Sequence, residues 1–173
     1  EPENTATFKT LPFLKAVFKW AREVNPSQPC TAPVWQIPGS GGTNWPIVAF
    51  VWDNSDIISF HCYADYATTV RFVRMCLQFN RPVLCSEWMA RTKGSDYFSI
   101  GPMFKRNKIA SYSYGLVNGK QQCHYPWNAK DKDGNPIPFE SEPDVWFHDL
   151  FRPDHTPWNP LETEFIKSLT KTR

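Results

Sequence analysis

A carboxylate placed directly after an unbroken apolar run is the first feature with chemical meaning. Glu87 follows Val83-Leu84-Cys85-Ser86, and burying a charge there costs several kcal/mol unless the group is paired or used. The pattern recurs along the chain. A run at 30–35 ends in Trp35-Gln36, one at 56–61 ends in His61-Cys62-Tyr63, and one at 109–117 carries Tyr114 with Asn118 just beyond. Runs of this kind, laid side by side, collect polar and aromatic groups at one end of a sheet. There a carboxylate can act as nucleophile, acid or base, while ring faces hold a substrate. Two readings of Glu87 stay open: a reacting carboxylate, or a structural one held by an Arg or by backbone donors.

The elements between these runs are helical. Apolar residues Leu11, Leu14, Val17, Phe18, Ala21 and Val24 recur at spacings of three and four, which predicts a helix over 8–24 with one buried face, stopped by Asn25-Pro26. Shorter helices are predicted over 45–52, 66–79 and 97–107, with Gly101-Pro102 expected to break the last or delay its start. A long aromatic loop then runs over 118–160, and a closing helix over 161–169. Strands that are apolar throughout and alternate with helices belong in a parallel sheet covered on at least one face. The fold class is therefore α/β in one domain spanning 1–173, either a doubly wound sheet or part of a (β/α)8 barrel. A doubly wound nucleotide fold would carry a G-x-G-x-x-G turn after its first strand. The one glycine cluster, at 39–42, lacks that spacing. Barrel enzymes hold their active sites at the C-terminal ends of the strands, where the polar groups fall here.

Composition excludes several classes. Nineteen Lys and Arg against 17 Asp and Glu leave a net charge of +2, so no basic excess marks a nucleic-acid partner. No run of about 18 apolar residues is present to span a bilayer. With 41% hydrophobic residues, 8 Trp, 6 Tyr and 13 Phe, the chain is too apolar to stay disordered. Sixteen prolines imply many rigid loops. The opening Glu1-Pro2-Glu3, with no basic segment and no apolar stretch after it, is not expected to be a signal peptide. Cys30, Cys62, Cys76, Cys85 and Cys123 form no Cys-x-x-Cys pair and are expected as buried thiols. The proposed chemistry requires no metal or cofactor, and no ligand cluster is evident.

Three ordered segments carry a resemblance: 56–63 ending in His61-Cys62-Tyr63, 81–91 containing Ser86-Glu87-Trp88, and Tyr114-Gly115-Leu116-Val117-Asn118-Gly119-Lys120. They resemble the sixth, seventh and eighth strands of cellulase-like retaining glycoside hydrolases with (β/α)8 barrels, nearest to bacterial proteins labelled 1,4-β-xylanase-like. Tyr125-Pro126-Trp127 and the segment 142–151 resemble the same group. In such families the acid/base Glu closes the fourth strand in an Asn-Glu-Pro motif, and Glu1-Pro2 matches its last two residues. The resemblance thus implies Glu1 as acid/base and Glu87 as nucleophile. It places His61 and Tyr63 where the nucleophile is oriented and the sugar subsite lined. Trp35, Trp88, Tyr114 and Trp127 are candidates to stack on sugar faces, and Gln121 is a candidate hydroxyl contact. Arg91 either binds the nucleophile or forms a surface salt bridge. The Trp158 region and the charged turn at 130–134 are expected as solvated structure. The family's eighth-strand Trp is matched here by Tyr114.

The reaction explains the pair of carboxylates. One attacks the anomeric carbon, and the other donates a proton to the leaving oxygen and later takes one from water; retention places the carboxyls about 5–5.5 Å apart. A whole barrel needs roughly 250 residues, so the resemblance covers strands five to eight, a half-barrel. Its open edges are expected to be covered by self-association into a homodimer or by an N-terminal half. The implied substrate is a plant-type β-linked poly- or oligosaccharide, met outside the cytoplasm by a secreted or periplasmic protein. The alternative is a non-catalytic carbohydrate-binding half-barrel without turnover.

Overall fold

The computed structural model describes residues 1–4, 6–36, 44–127 and 142–171. The glycine cluster at 39–42 and the charged turn at 130–134 lie outside these residues. Among the described residues, five α-helices and three strands follow in the order α1 (Thr10–Glu23), α2 (Trp45–Asn54), β1 (Ile58–Cys62), α3 (Tyr66–Leu77), β2 (Val83–Trp88), α4 (Tyr97–Arg106), β3 (Ala110–Ser113) and α5 (Pro160–Thr170), with a 3-10 turn at Arg91–Lys93 before α4. The strands form one parallel sheet in the order β1-β2-β3. This is the expected α/β class.

Local chemistry sets the helix starts. Asp65 caps α3 by accepting from the Thr68 amide, and Asp96 caps α4 by accepting from the Ser99 amide. Asn159 accepts from the Leu161 and Glu162 amides, with Pro160 as the first residue of α5. Pro102 does not break α4, which runs unbroken through it. Its missing N–H deprives only the Phe98 carbonyl, in the first turn beside an exposed side chain. Gly101 has its own reason to be small: a Cβ there would lie 2.6 Å from Leu169 Cδ1 of α5.

The core lies between the sheet and its helices. Every residue of β1 is buried, as a strand covered on both faces must be. Phe60 meets Phe72 of α3 and Phe104 of α4, and Trp52 of α2 packs on Phe72 and Phe79. Each such buried ring stabilises the fold by about 2–3 kcal/mol. The sheet is less covered at its flanks. The expected strand at 30–35 is a single parallel bridge, Val34 to Phe60, in which Val34 N–H donates to Ser59 O and its carbonyl accepts from His61 N–H. At the far edge β3 is exposed along most of its length. It is also shorter than the predicted 109–117, because Gly115 at φ +79° turns the chain while Tyr114 N–H donates to Trp88 O. The α1 face is narrower than predicted: Leu14 and Phe18 are buried, whereas Val17 and Val24 join Phe13 and Trp20 on an exposed apolar side. No helix among the described residues is long and apolar enough to cross a membrane.

All five cysteines are free, and Cys62, Cys76 and Cys85 are buried. Burial raises these three thiols above their ordinary range, so they pack as small hydrophobes.

Candidate active site

The ends of β1 and β2 bring four of the expected residues together as two hydrogen-bonded pairs, Glu1 with His61 and Tyr63 with Glu87. His61 and Tyr63 sit two residues apart, at and just past the end of β1, so alternation turns both to the same side. Glu87 is the fifth residue of β2, and His61 is its register partner. Tyr63 Oη donates to Glu87 Oε2 at 2.7 Å. His61 Nδ1 lies 2.7 Å from Glu1 Oε1 and 3.6 Å from Glu87 Oε2, and its side chain is only 7% exposed. Burial first, then the bond to Glu87, pushes the Tyr63 hydroxyl well above its ordinary range. It therefore stays protonated and remains a donor to the carboxylate.

Glu1 is delivered by residues 1–4. Asn4 Nδ2 donates to its Oε2, and the Asn4 amide donates to its carbonyl. Glu3, 2% exposed, accepts from the backbone amides of Trp35 and Gln36 through Oε1, at 2.5 and 3.1 Å. Those amides lie just past the Val34 bridge, so Glu3 ties the Glu1 segment to the sheet. One donor atom each from Glu1, His61 and Glu87 lies within 4.8 Å of the others. A divalent cation could use such a trio, a cluster not anticipated from the sequence. His61 Nδ1 already hydrogen-bonds Glu1 and stands 3.6 Å from Glu87, and a cation would have to displace that arrangement.

Aromatic groups extend from Tyr63. Its ring meets Trp127 edge-on at 4.9 Å and Tyr114 at 6.4 Å. Tyr114, Trp127 and Gln121 line one cavity of about 420 Å³, with Cys123 and His148. Tyr114, Trp127 and Gln121 are thus brought together as expected. Trp35 is half-exposed beside the Glu3 anchor, with no ring contact to this cluster among the described residues.

Two expected contacts are corrected. Trp88 is 2% exposed and packs against Tyr97 and Phe104 of α4, so its indole belongs to the core and cannot stack on a sugar. Alternation is the reason: with Glu87 turned to the cleft, the next residue must face the helices. Arg91 neither binds Glu87 nor lies on the surface. It forms a buried two-pronged ion pair with Glu162 of α5, Nη2 to Oε2 at 2.6 Å and Nε to Oε1 at 3.0 Å. It also donates to the carbonyls of Trp146 and Asp149. Trp158, expected in solvated structure, carries the Arg91 guanidinium 4.6 Å from its ring centre and stacks on Trp146.

Two contributors escaped the sequence reading. Glu3 lies two residues from Glu1, and the double carboxylate in Glu1-Pro2-Glu3 was its only signal. His148 and Asp149 sit inside the apolar run Trp146-Phe147-His148-Asp149-Leu150-Phe151, where two titratable groups signal burial for a purpose. This run threads between neighbouring backbones: Phe147 and His148 amides donate to His124 and Cys123 carbonyls, and Leu150 and Phe151 amides donate to Leu116 O. Gly115 permits the approach, since a Cβ there would stand 2.8 Å from both Asp149 Oδ1 and His148 Cβ. No protein-family model matches the chain, and no curated protein matches it. The functional reading rests on these residues and their geometry.

Proposed function

We propose that the chain forms strands five to eight of a (β/α)8 barrel and carries the two-carboxylate machinery of a retaining β-glycosidase. The substrate class is a β-linked plant-type poly- or oligosaccharide. The observation that carries this reading is the approach of Glu1, His61 and Glu87 to within 4.8 Å at the C-terminal ends of parallel strands. Carboxylates this close suit double displacement, whereas inverting enzymes leave about 6.5–9.5 Å for a water.

The Glu87 carboxylate attacks the anomeric carbon, the glycosidic C–O bond breaks, and the leaving oxygen takes a proton from Glu1. Water then attacks the same carbon as Glu1 removes its proton, and Glu87 departs; two inversions give net retention. Tyr63 orients Glu87, His61 spans the two acids, and Tyr114 and Trp127 offer ring faces to the sugar. A polymeric substrate of this class is met outside the cytoplasm, so the reading includes export. It involves neither nucleic acid nor a membrane partner.

The exposed length of β3 and the apolar side of α1 support an open sheet that another β/α unit completes. A second copy is the proposed occupant, and sedimentation at micromolar concentration tests it: a dimer is expected, and a compact monomer contradicts it. The same openness favours one second reading, a carbohydrate-binding half-barrel without turnover. Aryl β-glycosides of xylose, glucose, mannose and galactose separate the two. Hydrolysis that falls to background in Glu87→Gln and by about 10²–10⁴-fold in Glu1→Gln supports catalysis. Sugar binding without hydrolysis supports the second reading, and the absence of both refutes the two together.

A further inference from the structure

His148 is 1% exposed and lies among rings: Tyr63, Tyr114 and Trp127 have their centres 5.3, 5.2 and 5.4 Å from its own. One nitrogen is accounted for. Nδ1 sits in hydrogen-bond contact with the Met89 carbonyl, and a carbonyl can only accept, so Nδ1 carries the proton. Met89 follows Glu87 by two residues and is held at φ +79° while fully buried. A non-glycine residue in that region is strained, and such strain tends to mark a functional site. Burial drives the imidazole below its ordinary range, so the ring is neutral. Nε2 is therefore a lone-pair acceptor, and among the described residues nothing donates to it.

Of the two hydroxyl-bearing rings beside it, Tyr63 already gives its proton to Glu87. His148 lines the 420 Å³ cavity shared with Tyr114, Gln121 and Trp127. A donor attached to something flat and partly apolar complements an unsatisfied acceptor in an aromatic enclosure. A pyranose has that form: C–H faces for the rings and hydroxyls at its rim.

We propose that His148 is a specificity-determining residue whose Nε2 accepts a hydrogen bond from one hydroxyl of the sugar ring seated in the Tyr114–Trp127 cavity. The assignment rests on the glycosidase reading and deepens it, selecting for sugars that carry a free hydroxyl at that position. Sites built to pair a substrate hydroxyl reject analogues that lack it far more strongly than apolar pockets do.

The test uses the whole chain and its Glu87→Gln variant, with calorimetric binding of 4-nitrophenyl β-D-xyloside and β-D-glucoside and their 2-, 3- and 4-deoxy analogues. Loss of one particular hydroxyl is expected to weaken binding by about 10-fold or more. His148→Asn keeps a donor for Met89 but has no counterpart of Nε2. It should bind the parent glycoside about 10-fold more weakly and no longer distinguish that deoxy analogue. His148→Gln places an acceptor where Nε2 stood and should restore part of the discrimination. Where the variants fail to fold, ¹⁵N spectra of the unaltered protein decide: the His148 Nε2 resonance should move when glycoside is added. Binding with unchanged deoxy discrimination in His148→Asn, or with no Nε2 movement, overturns this assignment alone. No binding of any glycoside overturns it together with the glycosidase reading.

Discussion

The buried pair of Arg91 and Glu162 allows a worked prediction. The two side chains are 6% and 2% exposed and meet through two charge-assisted bonds. Removing one member of such a pair leaves an uncompensated buried charge, which costs about 3–5 kcal/mol. The two ends differ here. In Glu162→Gln the guanidinium keeps the Trp146 and Asp149 carbonyls as acceptors, so a loss near 3 kcal/mol is expected. In Arg91→Met the Glu162 carboxylate loses both its side-chain donors, so a loss near 5 kcal/mol is expected. Combining Arg91→Met with Glu162→Leu removes both charges and should recover most of the damage. The double variant stays below the parent by about 1–2 kcal/mol, because the two carbonyls lose their donor. Urea unfolding followed by tryptophan fluorescence measures all three, read as midpoint shifts at constant slope. Single losses below about 1 kcal/mol, the size of an exposed pair, would refute the reasoning. They would mean that water reaches the ions and that the 146–149 run is held by something else.

Other expectations follow from the same geometry. Tyr63→Phe removes the donor to Glu87, and hydrogen bonds to charged groups are worth about 1.5–3 kcal/mol. Turnover of aryl glycosides should fall by roughly 10–100-fold with the fold intact by circular dichroism, and unchanged turnover would remove Tyr63 from the site. Gly115→Ala must adopt φ +79° and press on Asp149 and His148. A loss of about 2–4 kcal/mol in urea unfolding is expected, and a neutral effect would contradict the close approach. Burial holds His124 and His148 below their ordinary 6.5, so the unfolded chain binds more protons in mild acid. Stability should be full above about pH 6.5 and fall as pH drops through the lowered values. Asp149, raised by burial, acts in the opposite sense, its cost growing as pH rises through its own raised value. Urea midpoints at about pH 7.5 and 5.5 should therefore decrease on acidification, less so in His148→Asn.

Much of the site was legible because strand periodicity is rigid. Val83–Trp88 was readable as a buried strand, and a carboxylate at its end could only face a cleft or a partner. The same periodicity, applied one residue further, excludes Trp88 from that cleft. His61 and Tyr63 share a face for the same reason. Arg91 was not legible, since its partner Glu162 lies 71 residues away beyond the long aromatic loop. Nor was His148, whose neighbours come from β1, the segment after β3 and that loop. Pro102 misled because local propensity forbids it in a helix interior, yet here it touches only a carbonyl that water can satisfy.

Covalent trapping tests the central claim most directly. A 2-deoxy-2-fluoro β-glycoside with a good leaving group slows both steps, and the glycosyl-enzyme accumulates if departure of the leaving group outpaces hydrolysis. Peptide mass spectrometry is expected to find one sugar esterified to Glu87, less of it in Tyr63→Phe at equal exposure, and none in Glu87→Gln. A sugar attached to another residue, or hydrolysis that releases the α-anomer first, would contradict the account.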